Sequence, residues 1–277
     1  MEKITINNED EIVKKYMESK NDLNESKENI KKAKKEKKEN KATYNKIIDF
    51  ILSDTFADSN NEEIQKIRKL NKERKEKIVA EVFNGITHGI GTFLGILGFV
   101  LLLIKANTSI EYISYIIYGI SLIGLFLAST LYHSLIFTKA RPIFQVIDHS
   151  SIFLLIAGSY APYCLLAMPR KVGVPLLITI WIIGILGVLG KIFFFEKIKK
   201  INNILYIIMG WLIIFTIKDI IKVMPISGII LMILSGLSYT GGVLFYRKKD
   251  KAYNHVIWHL FVLLGAILMY LSIYLYL

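Results

Sequence analysis

The 277-residue chain has a single cysteine, Cys164, so no disulfide within the chain can hold it together. Its first residues contain no apolar run, which argues against a cleaved secretory signal. Acidic residues almost vanish after position 80: residues 1–80 hold 17 Asp and Glu, and residues 81–277 hold 6. Basic residues thin out too, from 20 in the first part to 15 over the much longer second part. A stretch so poor in charge, in a chain that is 53% hydrophobic, reads as a membrane domain.

Seven runs in that stretch have no charge at all: 86–104, 112–138, 149–169, 172–190, 201–217, 223–246 and 252–277. They are 19, 27, 21, 19, 17, 24 and 26 residues long, against the roughly 20 apolar residues that cross a bilayer as a helix. The expected fold class is all-α integral membrane: a seven-transmembrane-helix bundle over 78–277, preceded by a charged cytoplasmic extension over 1–77. The shortest run, 201–217, is only just long enough. The extension alternates Lys with Glu and Asn, as in "KKAKKEKKEN", with too few apolar residues for a core. It is expected to be disordered or a solvated helix lying near anionic lipid, with one apolar patch at Ile47, Ile48 and Phe50–Leu52.

A net charge of +12 can also mean nucleic-acid binding, but here the cations sit at the ends of apolar runs. With the N-terminus inside, the inner loops hold Lys139 and Arg141, then Lys197, Lys199 and Lys200, then Arg247, Lys248, Lys249 and Lys251. The outer loops hold Lys105, then Arg170 and Lys171, then Lys218 and Lys222. That is nine against five, with the 20 of the extension added inside. The positive-inside rule therefore places the N-terminus in the cytoplasm and the C-terminus outside a plasma membrane, with no nucleic acid as partner.

On this topology all five histidines, His88, His133, His149, His255 and His259, fall at the cytoplasmic side. Nothing in the count of runs used them, so their shared depth is independent information. In "ASTLYHS", Ser129 and His133 share a helix face; in "HVIWH", His255 and His259 do the same. Two imidazoles at i and i+4 suit one metal ion, and His133 can add a third nitrogen. Three nitrogens and an open fourth position is the arrangement of catalytic zinc, although copper, iron and nickel also accept imidazole. Asp148 could then hydrogen-bond to the water on the metal or take its proton, and Ser129 could hold the same water or a substrate carbonyl. One histidine alone at an interface is an ordinary polar residue. His149 is read that way, as pointing elsewhere on its helix. His88 is read either so or as a hydrogen-bonded tie between the first helix and the bundle.

These stretches, together with "EVFNGITHGIG" and "DHSSIFLLIAGSYAPY", resemble the bacterial hemolysin III proteins, which belong with the progestin and adiponectin receptors and more distantly with alkaline ceramidases. The resemblance covers roughly 78–277. It implies a seven-helix bundle with a cytoplasmic-side zinc on His133, His255 and His259, and Asp148 and Ser129 contacting the water. Two features depart from it. The extension is not part of the shared core, and Tyr160-Ala161-Pro162 stands where Tyr-Thr-Pro is usual. Pro162 is expected to kink its helix.

The function expected is that of a zinc-dependent hydrolase of lipid amides or esters, with membrane lipid as substrate. The rival is a receptor or lipid-state sensor with a structural zinc, and a lipid would then be its ligand. A channel fits less well, because the fourth to sixth runs carry no mid-bilayer charge; a cytolysin is least supported. An open fourth metal position favours the hydrolase, and closure by His88 or Asp148 favours the sensor.

Overall fold

The computed structural model describes residues 62–198, 201–248 and 252–277, with side chains from Lys69 to Phe194 in the first of these segments. The expectations for the extension before Glu62, its Ile47–Leu52 patch included, lie outside the described residues, as do loop lysines 199, 200, 249 and 251. The chain divides into two units between Glu76 and Lys77, and the second carries the site.

The elements are α1 (Glu62–Lys105), α2 (Ser109–Ser134), α3 (Arg141–Leu166), α4 (Arg170–Ile198), α5 (Asn202–Trp211), a 3-10 turn (Leu212–Thr216), α6 (Ile217–Ile220), α7 (Ile226–Arg247) and α8 (Tyr253–Tyr276). Seven spans are long and apolar enough to cross a membrane, the fifth being α5, the turn and α6 taken together. Among the described residues there is no strand. The bundle is all-α.

Local chemistry sets the boundaries. α2 opens on a capping box: Glu111 N–H donates to Thr108 Oγ1 at 3.3 Å, and Thr108 N–H donates to the Glu111 carboxylate at 3.0 Å. α3 opens with proline in its first turn, where the missing N–H costs nothing. α1 starts far ahead of the charge-free run that predicted it, because Glu and Lys are good helix formers and the helix needs no apolar face to continue toward its N-terminus. His88 is consequently mid-helix rather than at a helix start. α4 runs past its predicted end at 190 to Ile198, through a non-helical Phe194. α3 continues through Pro162 as one helix.

Large apolar side chains such as Phe93, Ile104, Leu186 and Phe215 point outward, as a surface solvated by lipid requires. The interior holds Tyr115, Tyr118, Tyr163, Phe126 and Phe153, all fully buried. α2 packs on α3, α3 on α4, and α7 on α8. α1 joins the bundle through small residues. A Cβ at Gly91 would lie 2.4 Å from the Phe126 ring of α2, and one at Gly98 would lie 2.7 Å from Tyr270 of α8. Lys105 Nζ then donates to the Tyr274 carbonyl at 2.7 Å.

The fifth span, the shortest run in the sequence, is also the broken one. The Tyr160 hydroxyl, reaching over from α3, donates to the Met209 carbonyl at 2.6 Å and accepts from Ile213 N–H at 2.9 Å. It thereby satisfies backbone groups that the change from α to 3-10 geometry would leave open.

Candidate metal centre

His133 comes from the last turn of α2, and His255 and His259 come from the first two turns of α8. One ligand atom from each lies within 4.8 Å of the other two. The Nε2 atoms of His255 and His259 are 3.1 Å apart, and the His133 ring centroid is 5.2 Å and 4.8 Å from theirs. Two helices far apart in sequence therefore bring three imidazoles to one point.

Glu81 of α1 fixes the third. Its carboxylate takes a hydrogen bond from His133 Nδ1 and pairs with Arg141 of α3. A proton on Nδ1 leaves a lone pair on Nε2. That Nε2 is buried and has no hydrogen-bond partner among the described residues. A buried acceptor with nothing to accept, facing two further imidazole nitrogens, is what a cation resolves. The donor set fits zinc: three imidazole nitrogens, one of them oriented by a carboxylate behind it.

Ser129, one turn before His133, is 1% exposed, and its hydroxyl lies near the Asp148 carboxylate of α3. Both line the same cavity as His255 and His259. Asp148 is outside the three-histidine group. The cavity holds about 460 Å³. From the histidines it extends between α3, the broken fifth span, α7 and α8 as far as Tyr163, Met232 and Met269, and its wall is mostly aliphatic and aromatic. That size and lining are those of a small-molecule site.

A model of the family described as haemolysin-III related matches residues 76–270. The chain belongs to that family. It is 40% identical to Hemolysin-3 of Bacillus cereus over 199 residues, covering 71% of this chain and 91% of the relative. It is 37% identical to the Hemolysin-3 homolog of Bacillus subtilis over 202 residues, 72% of this chain and 95% of the relative. A more distant likeness is to the human Monocyte to macrophage differentiation factor, 28% identical over 200 residues, covering 70% and 83% of the two chains. The matched region of this haemolysin-III related protein contains every site residue named above.

Not all of the site was foreseen. His149 does not point away: it lines the cavity, its Nδ1 donates to the Gln145 carbonyl at 2.7 Å, and the same nitrogen is 3.6 Å from Asp148. α3 is enclosed on this side by both α5 and α7. Tyr206 hydrogen-bonds to the His149 carbonyl at 2.9 Å, and the Tyr246 hydroxyl stands 3.5 Å from Nε2, so neighbouring positions on α3 both face inward. Neither His88 ring nitrogen meets hydrogen-bond geometry with a partner among the described residues; its ring stacks on His259. Glu81 and Lys191 were missed altogether. Lys191 is 1% exposed in α4, and its charge reaches Asp148 and His149. Both residues lie just beyond the charge-free runs, which began at 86 and ended at 190, so they read as flanking charges. The available signal was Glu81 itself, one of only 6 acidic residues after position 80.

Proposed function

We propose that this haemolysin-III related protein is a zinc-dependent hydrolase of lipid amides or esters, working at the cytoplasmic side of the plasma membrane. The observation that carries the reading is the three-histidine cluster, two of whose members, His255 and His259, line an apolar cavity inside a membrane bundle together with Ser129 and Asp148. A water-soluble substrate has no use for such a chamber, whereas an acyl chain fills it.

In this reading His133, His255 and His259 hold the metal, and Glu81 keeps the His133 ring turned toward it through Nδ1. When bound, zinc acts as a Lewis acid on a carbonyl and brings the pKa of a coordinated water to about 7. Asp148 supplies a carboxylate oxygen as proton acceptor, and the Ser129 hydroxyl holds that carboxylate in place. Lys191 balances its charge from α4. The aliphatic wall excludes bulk water and aligns the acyl chain so that its carbonyl stops beside the histidines. In the N-cytoplasmic orientation this depth is where lipid carbonyls lie.

The test is turnover of a panel of N-acyl and O-acyl lipids by the purified protein, with and without a chelator. Chelator-sensitive release of fatty acid supports the hydrolase. Stoichiometric zinc with no turnover on any lipid supports instead a receptor or lipid-state sensor in which the metal joins α2 to α8.

A further inference from the structure

His88 is a polar residue lining the cavity that neither the metal nor the proton chemistry uses. It is 3% exposed, and its ring is fixed from two directions. It stacks on His259 at 3.6 Å between centroids with 13° between the planes, and it meets Phe126 edge-on at 5.0 Å. It lines the cavity. Neither ring nitrogen meets hydrogen-bond geometry with a protein group among the described residues, although the backbone of His259 lies close by. It is outside the group of histidines whose nitrogens converge.

A neutral imidazole carries one donor and one acceptor. Leaving both unmade in an apolar, water-poor space is costly, and the ring is wedged too firmly to turn toward the protein for partners. A saturated hydrocarbon offers it nothing. An amide or a hydroxyl both accepts and donates, and a lipid whose chain fills the cavity would carry such a group next to the histidine cluster. We infer that His88 is a specificity-determining residue. It hydrogen-bonds to the polar linkage or head group of a lipid seated in the cavity and selects a lipid bearing an amide or hydroxyl there over a plain acyl chain. This rests on the lipid-hydrolase reading for what fills the cavity, but not on whether the bond is cleaved.

Two of the chain's three tryptophans, Trp211 and Trp258, line the cavity, and the third is Trp181. In a Trp181→Phe background, quenching by a brominated lipid therefore reports occupancy directly. The full chain, loaded with zinc in detergent, is titrated with two probes. One is the ethanolamide of a dibrominated eighteen-carbon fatty acid; the other is the dibrominated hydrocarbon of equal length. For His88→Leu, the dissociation constant of the ethanolamide should rise about tenfold, the factor that one unmade neutral hydrogen bond gives, and that of the hydrocarbon should not move. His88→Gln, which keeps a donor and an acceptor, should recover most of the loss. Zinc per chain should be the same in all three proteins. Equal weakening for both probes would make His88 a packing residue, no weakening for either would make it idle, and zinc loss would make it part of the metal centre; each overturns the proposal. Mass spectrometry of the recovered ethanolamide reads cleavage separately, so an intact probe counts against the hydrolase and leaves the His88 result standing.

Discussion

At the scale of single residues, the proposed site separates groups that would hold a metal from groups that would act beside it. Replacing His133, His255 or His259 with Ala leaves two imidazoles, which hold zinc poorly against competing buffer, so each variant should purify without metal. Asp148→Ala should keep its zinc and lose any hydrolysis. Ser129→Ala should be milder, because a water can replace a hydroxyl that only positions a carboxylate. Elemental analysis of the five proteins checks the division: full zinc in His255→Ala would sink the ligand set, and zinc loss in Asp148→Ala would make Asp148 a ligand and favour the sensor. Glu81→Gln can no longer draw the His133 proton as a carboxylate does. It should weaken zinc binding by about 10- to 100-fold in a chelator competition, as loss of an outer carboxylate usually does. The convergence of His255 and His259 was legible in the sequence because i, i+4 spacing survives any tertiary arrangement, and His133 was placed with them by its shared depth. Glu81, Lys191 and the orientations of His88 and His149 were not, since each depends on which helix faces which, and periodicity in a uniformly apolar run does not record that.

At the scale of elements, contact in this bundle depends on small residues more than on apolar area, because lipid tails are as apolar as the side chains they compete with. Gly187 of α4 shows it: a Cβ there would lie 2.5 Å from the ring of Phe153, which is fully buried in α3. Gly187→Leu must push the two helices apart, at a cost of about 1–3 kcal/mol, and thermal unfolding in detergent should occur at a lower temperature than for the parent. An unchanged midpoint would mean that the α3–α4 contact is not set by this glycine. The broken fifth span gives a second case. Tyr160→Phe removes the hydroxyl bonded to Met209 and Ile213 and leaves both backbone groups open in an apolar surrounding. A loss of about 1–3 kcal/mol is expected, with hydrogen exchange rising first in Leu212–Thr216. The number and order of spans could be read from the sequence, since a charge-free run of sufficient length has few alternatives in a bilayer. The break at Leu212 could not. No proline marks it, and its stabilising hydroxyl comes from Tyr160, 53 residues before Ile213.

At the scale of the whole molecule, the decisive quantity is the side on which the histidines lie. Seven crossings put the two ends of the membrane domain on opposite faces. The connections after α2, α4 and α7 share a face with the start of α8, and therefore with the histidine cluster. Those connections and the helix ends that flank them carry nine Lys and Arg, and those at the other face carry five. The burial of Lys191 does not disturb the comparison, because a cation enclosed in α4 is not a loop charge. The positive-inside rule then predicts that the histidine cluster faces the cytoplasm and that Leu277 lies outside. Two reporters fused after Leu277 read this out, one active only in the cytoplasm and the other only beyond the membrane. The second should be active and the first silent. The reverse result would move the cluster to the outer leaflet and, with it, the pool of lipid that could reach the cavity. The bundle and the donor set would stand, but the proposed substrate would then be drawn from lipid exposed to the outside.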